Sequence, residues 1–80
     1  MEKHSTTLID NASKVLNTLY IYPDGAQVKE LEAILGISYR KVIAYLVFLR
    51  KHGFVTHARE EEGVIWYPVY TIEELKEMGA

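Results

Sequence analysis

Residues 28–55 read VKELEAILGISYRKVIAYLVFLRKHGFV, and the spacing of apolar side chains within them decides the fold. Val28, Leu31 and Leu35 recur at helical spacing, and Gly36 follows them as a residue able to take the left-handed backbone of a helix stop. Ile37 supplies an apolar plug and Ser38 an N-cap for a second helix. That helix carries Val42, Leu46 and Leu49 on one face and stops at Gly53, where Phe54-Val55 begins an extended run. Outward from this unit, Leu8, Ala12, Val15, Leu16 and Leu19 form an apolar helical stripe, which Pro23-Asp24-Gly25 ends with turn chemistry. Phe54–Arg59 and Val64–Tyr70 are rich in β-branched and aromatic residues. With Glu60-Glu61-Glu62-Gly63 as a polar loop between them, they read as a hairpin. Thr71-Ile72-Glu73-Glu74 then has the form of a capping box, opening a last short helix with Ile72 and Leu75 on its inner side.

The pattern L-x3-L-G-I-S-x3-V-x3-L-x2-L-x3-G-F-V, from Leu31 to Val55, resembles the winged helix-turn-helix family. The resemblance implies helix 1, a stub of strand, helix 2, recognition helix 3 and a two-stranded wing. The expected fold class is therefore α+β, mainly α. It comprises a three-helix core, a β-hairpin wing and a short C-terminal helix, in a single domain spanning residues 1–80. The scaffold serves both DNA binding and protein docking, so fold alone does not choose between them.

Composition narrows the class. Eighty residues make one small domain whose core must be shared by every element. Nearly half the residues are apolar and six are tyrosine, which is not the composition of a disordered tail. Without cysteine there is neither a disulfide nor a thiolate metal site, and an intracellular protein is favoured. No apolar run approaches the roughly 20 residues that span a bilayer. Residues 1–7 lack the basic-then-apolar layout of a signal peptide, so the expected location is cytoplasmic.

The formal net charge is −2, yet the charges are unevenly placed. Between Ala33 and Arg59 there is no Asp or Glu, while Arg40, Lys41, Arg50, Lys51 and Arg59 lie there with His52 and His57. All eleven acidic residues fall outside that stretch. The basic segment coincides with helix 3 and the first wing strand, where the family meets DNA, and such a local field attracts phosphates despite the net charge. The macrodipole accounts for Arg50 and Lys51 near a helix C-terminus. It does not account for Arg40 and Lys41 in the first turn, where a helix disfavours cations.

Helix 3 also carries a countervailing signal, because residues 42–49 read VIAYLVFL without a charge. Burial against helices 1 and 2 uses Val42, Tyr45, Leu46 and Leu49. By the family's arrangement Tyr39, Arg40, Ile43, Ala44 and Val47 would face outward. Base edges present hydrogen-bonding groups, which suit Tyr39 and Arg40, whereas Ile43 and Val47 suit thymine methyl groups or an apolar partner surface. In the wing, Arg59 is placed for the DNA backbone, while Glu60, Glu61 and Glu62 repel phosphate and read as a solubilising tip that protects the hairpin edge. Trp66, Tyr67 and Tyr70 make the second wing strand aromatic, with one face expected in the core; Pro68 fits only an edge or a bulge. Arg59-Glu-Glu-Glu-Gly-Val-Ile-Trp-Tyr followed by a short helix is also similar to the winged domain of the large subunit of archaeal transcription factor E. That resemblance implies docking onto transcription machinery, in a family that continues into a zinc ribbon where this chain stops.

No catalytic constellation is present. His4, His52 and His57 lack metal-ligand spacing, His52 beside Gly53 suits a helix C-terminus, and the pairs Glu30/Glu32 and Glu73/Glu74 read as solvated helix faces. Neither cofactor nor metal is expected. The expected function is a transcriptional regulator binding double-stranded DNA, with helix 3 (about 38–52) in the major groove and the wing (about 54–70) on the backbone. Ser38, Tyr39 and Arg40 would enter the groove, Arg40 contacting guanine, with Ile43, Ala44 and Val47 alongside. Lys41, Lys51 and Arg59 would hold phosphates. A homodimer is expected through Leu8, Ile9, Ile72, Leu75 and Met78, since one such domain covers little DNA. The alternative is a protein-interaction domain that docks onto transcription machinery, such as another transcription protein, or onto another protein through Ile43, Val47 and Phe48 of an apolar helix 3.

Overall fold

Ala12, Val15 and Leu19 repeat at helical spacing and are buried together, which sets the inner face of the first helix. In the computed structural model, which describes residues 3–70 and 72–79 without the side chains of 3–7, 72 and 75, that helix is α1, Lys3–Ile21. It is followed by α2 (Val28–Leu35), α3 (Tyr39–Lys51), β1 (Val55–Glu60), β2 (Gly63–Pro68) and α4 (Ile72–Glu77). The molecule is thus a small, mainly helical α+β unit carrying one antiparallel hairpin, a layout compatible with a winged-helix shape. Thr71, the first residue of the expected capping box, lies outside the described residues, as do the side chains of Ile72 and Leu75.

The turn between α2 and α3 follows its local sequence. Gly36 takes φ 67° and donates its N–H to the Glu32 carbonyl at 2.9 Å. Ile37 packs on the core, and Ser38 Oγ accepts the Lys41 N–H at 3.4 Å as the N-cap of α3. On α3 the buried residues are Val42, Tyr45, Leu46 and Leu49, the stripe that helical spacing requires. Tyr45 reaches the core with its hydroxyl satisfied, accepting from Asn11 Nδ2 on α1 at 3.0 Å. The end of α3 is closed by paired 6→1 and 5→2 bonds: Phe54 N–H to the Leu49 carbonyl at 2.9 Å, and Gly53 N–H to the Arg50 carbonyl at 3.0 Å. Phe54 therefore caps the helix instead of opening the strand, and β1 starts one residue later than the expected run.

The hairpin is tighter than its sequence implies. Glu60 pairs with Gly63, so only Glu61 and Glu62 form the turn, and the register runs through Arg59↔Val64 and His57↔Trp66 to Val55↔Pro68. Pro68 closes the strand end, where its missing N–H breaks no further rung. Alternation places Val55, His57 and Arg59 on one face with Val64, Trp66 and Pro68, and Val55 and Trp66 are buried there. On its other edge β2 receives an isolated bridge from Ala26, with the two N–H···O bonds between Ala26 and Trp66 both 2.9 Å. Ala26 is the strand stub between the first two helices that the resemblance implies. The largest fully buried side chains, Val15, Leu19, Leu31, Val42, Leu46 and Val55, come from α1, α2, α3 and β1, so the core is shared as a small domain requires.

Candidate nucleic-acid interface

The face of α3 opposite its buried stripe runs Arg40, Ala44, Val47, Lys51, all exposed and spaced four, three and four residues apart. Cations stand at both ends of that stripe, with small or apolar side chains between them. Ser38, Tyr39 and Lys41 are exposed around the N-terminal turn, Tyr39 with 46% of its surface accessible. Val47 is 42% accessible. Ile43 departs from the outward position expected of it: it is half-buried and packs against the core. Its place is the flank of the helix, and its burial leaves Ala44 and Val47 as the middle of the outer stripe.

Phe48 is also half-buried, and on a different side. It lines an apolar groove of about 320 Å³ with Ile9, Ala12, Ser13 and Leu16 of α1, together with His52 and Phe54. Its ring lies 4.6 Å from that of His52. Ile43 and Phe48 stand about 140° apart around the helix axis at ~100° per residue, so Ile43, Val47 and Phe48 do not form one continuous exposed patch. Of the expected dimer seam, Leu8, Ile9 and Met78 are exposed, Ile9 at 57% and Met78 at 61%.

The hairpin divides its charge between two faces. His57 and Arg59 share the face of Val55 and Trp66 that turns toward α3, and both are exposed. Two contacts fix His57 there: its ring stacks on Trp66 with centroids 4.6 Å apart, and its Nδ1 lies 3.4 Å from Arg50 Nη1. Arg50 and Arg59, with His57 between them, thus extend the cationic surface from α3 onto β1. The opposite face carries Glu60, whose carboxylate accepts the Tyr67 hydroxyl at 2.5 Å. That hydrogen bond, with burial and the charge of Glu60 behind it, raises the Tyr67 pKa above its ordinary value. Asp24, Gln27, Glu30, Glu60 and Glu62 line a shallow concavity of about 340 Å³ on this side. Glu60 and Glu62 are therefore grouped away from the surface that carries His57 and Arg59.

Glu30 is not simply a solvated helix face, since its Oε1 accepts the Gln27 N–H at 2.8 Å and so caps the start of α2. Arg50 and His57 are the residues whose partnership sequence reading missed. The only signal for it is the alternation Val55-His57-Arg59, which requires the correct strand register. Among the described residues no group of three His, Asp or Glu side chains is placed to hold a metal ion, and no helix is long and apolar enough to cross a membrane. No protein-family model matches the chain, and no curated protein or solved structure matches it.

Proposed function

We propose that this chain is a winged helix-turn-helix protein that regulates transcription by binding double-stranded DNA, with α3 in the major groove and the hairpin as its wing. The observation that carries the reading is the alignment of Arg40 and Lys51 along the outer stripe of α3 with Arg50, His57 and Arg59 beside it, while Glu60 and Glu62 of the hairpin lie on the far face. A duplex is the partner that fits a cationic helix flanked by a cationic strand, because phosphates border the groove on both sides. In this reading Ser38, Tyr39 and Arg40 meet base edges, with Ala44 and Val47 against the groove floor. Lys41, Lys51 and Arg59 neutralise phosphates. Ile43 supports the helix from its flank.

A second copy would extend the contacted sequence, with Leu8, Ile9 and Met78 exposed to contribute to the seam. The protein-docking alternative keeps one point in its favour, the exposed Val47 in mid-stripe. It loses the continuous Ile43–Val47–Phe48 surface it needs. Fluorescence anisotropy with random duplex DNA over a range of salt concentrations tests the proposal. Binding that weakens steeply with salt, and is impaired by Arg40→Ala with Lys41→Ala, supports it; no binding at low salt overturns it.

A further inference from the structure

We infer that Arg50 and His57 together form a seat for a DNA phosphate between the last turn of α3 and the hairpin, with Trp66 as its floor. The inference rests on the duplex reading above and assigns two residues to it that sequence alone attributes to other roles. Arg50 stands in the last turn of α3, where a cation is ordinarily explained by the helix dipole. The end of α3 is already closed by the backbone bonds of Gly53 and Phe54. The Arg50 guanidinium is turned instead toward β1, with Nη1 3.4 Å from His57 Nδ1.

A guanidinium has five N–H donors and no acceptor, so His57 accepts at Nδ1 and carries its proton on Nε2. One Arg50 N–H is used in holding that pose, and the others remain for a bidentate partner such as a phosphodiester. The histidine is itself fixed by stacking on Trp66, which is buried and paired by its backbone to Ala26. The order Trp66–His57–Arg50 therefore places an exposed cation on a rigid base, which lowers the ordering entropy of a phosphate contact. His57 is a positioning residue in this arrangement, and Arg50 makes the contact. Arg59, two residues along the same strand face, adds a second cation to the field at the seat. Glu60, the one carboxylate within the two strands, is held by Tyr67 on the other face.

The test is anisotropy with a random duplex between about 50 and 200 mM salt, on the full chain and on variants checked for folding by circular dichroism. Arg50→Ala and Arg50→Gln are each expected to flatten the slope of log affinity against log salt by about 0.9. Each is expected to weaken binding about tenfold at low salt, equally for every duplex. His57→Phe keeps a ring on Trp66 but removes the acceptor. It is expected to weaken binding in the wild-type background and to add no further loss in the Arg50→Ala background, a coupling that a merely structural histidine does not produce. If the wild-type chain binds DNA but Arg50→Ala and Arg50→Gln retain its salt slope, the seat is overturned and the duplex reading stands. If the wild-type chain binds no DNA, both fall together.

Discussion

Gln27 Nε2 donates to the carbonyl of Glu62 at 2.6 Å, joining the residue before α2 to the turn of the hairpin. The two are far apart in sequence, and each end is fixed separately: Gln27 by the Glu30 carboxylate on its N–H, Glu62 by the two-residue turn. The hydrogen bond thus restrains the hairpin tip against the helical body. Gln27→Ala removes it at an exposed site, so the expected loss of stability is about 0.5–1.5 kcal/mol. Amide exchange of residues 60–63 should quicken while that of α3 stays unchanged. Equal protection of the tip in both proteins would show that the strands alone hold it.

Gly25 lies where the link between α1 and α2 crosses β2. Its φ is 101°, and a Cβ built there would collide with Ile65 Cγ2 and stand 2.7 Å from Tyr67 Cε1. Gly25→Ala therefore combines a disfavoured backbone with a collision, and the expected destabilisation is about 2–5 kcal/mol. Urea unfolding measures it. An unchanged midpoint would mean that the link can swing away from Ile65 and Tyr67 without loss of the core.

The Tyr67–Glu60 hydrogen bond makes an alkaline signature. Because the carboxylate accepts from the neutral phenol, the folded-state pKa of Tyr67 is raised. Its contribution to stability is fully present below the unfolded tyrosine value of about 10 and is lost as pH rises through the folded value. Thermal unfolding followed across that window should show a steeper decline for the wild type than for Tyr67→Phe. Parallel curves would count against the hydrogen bond in solution.

The helical turn was legible because every signal for it is local. Gly36, Ser38 and the Val42–Leu46–Leu49 spacing each act within one turn of chain, and the structure places all of them as their chemistry requires. The hairpin was legible as a hairpin but not in register. Four polar residues at 60–63 read as a loop, yet Glu60 pairs with Gly63 in the ladder and leaves only Glu61 and Glu62 in the turn. The half-burial of Ile43 is not legible for a different reason, since a helix apolar through residues 42–49 does not reveal where its buried stripe ends. Arg50 and His57 meet only because the cap at Gly53 and Phe54 reverses the chain between them, a geometry their spacing does not announce.

The outer stripe of α3 separates the two functional readings most sharply. Arg40 and Val47 are both exposed on it and neither supports the core, so substitution at either should leave folding intact. For a DNA reader, Arg40→Ala removes a cation from the start of the recognition helix. If Arg40 pairs with a base, the loss is about 1–3 kcal/mol at that base pair with relaxed preference there. Val47→Asp then sets a carboxylate against the groove and should also weaken DNA binding, more strongly at low salt than at high. For a protein-docking module, Val47→Asp abolishes partner capture while Arg40→Ala is tolerated. Anisotropy on both variants with one duplex decides between them. DNA affinity lowered by each supports the duplex reading, and affinity indifferent to both removes α3 from the interface.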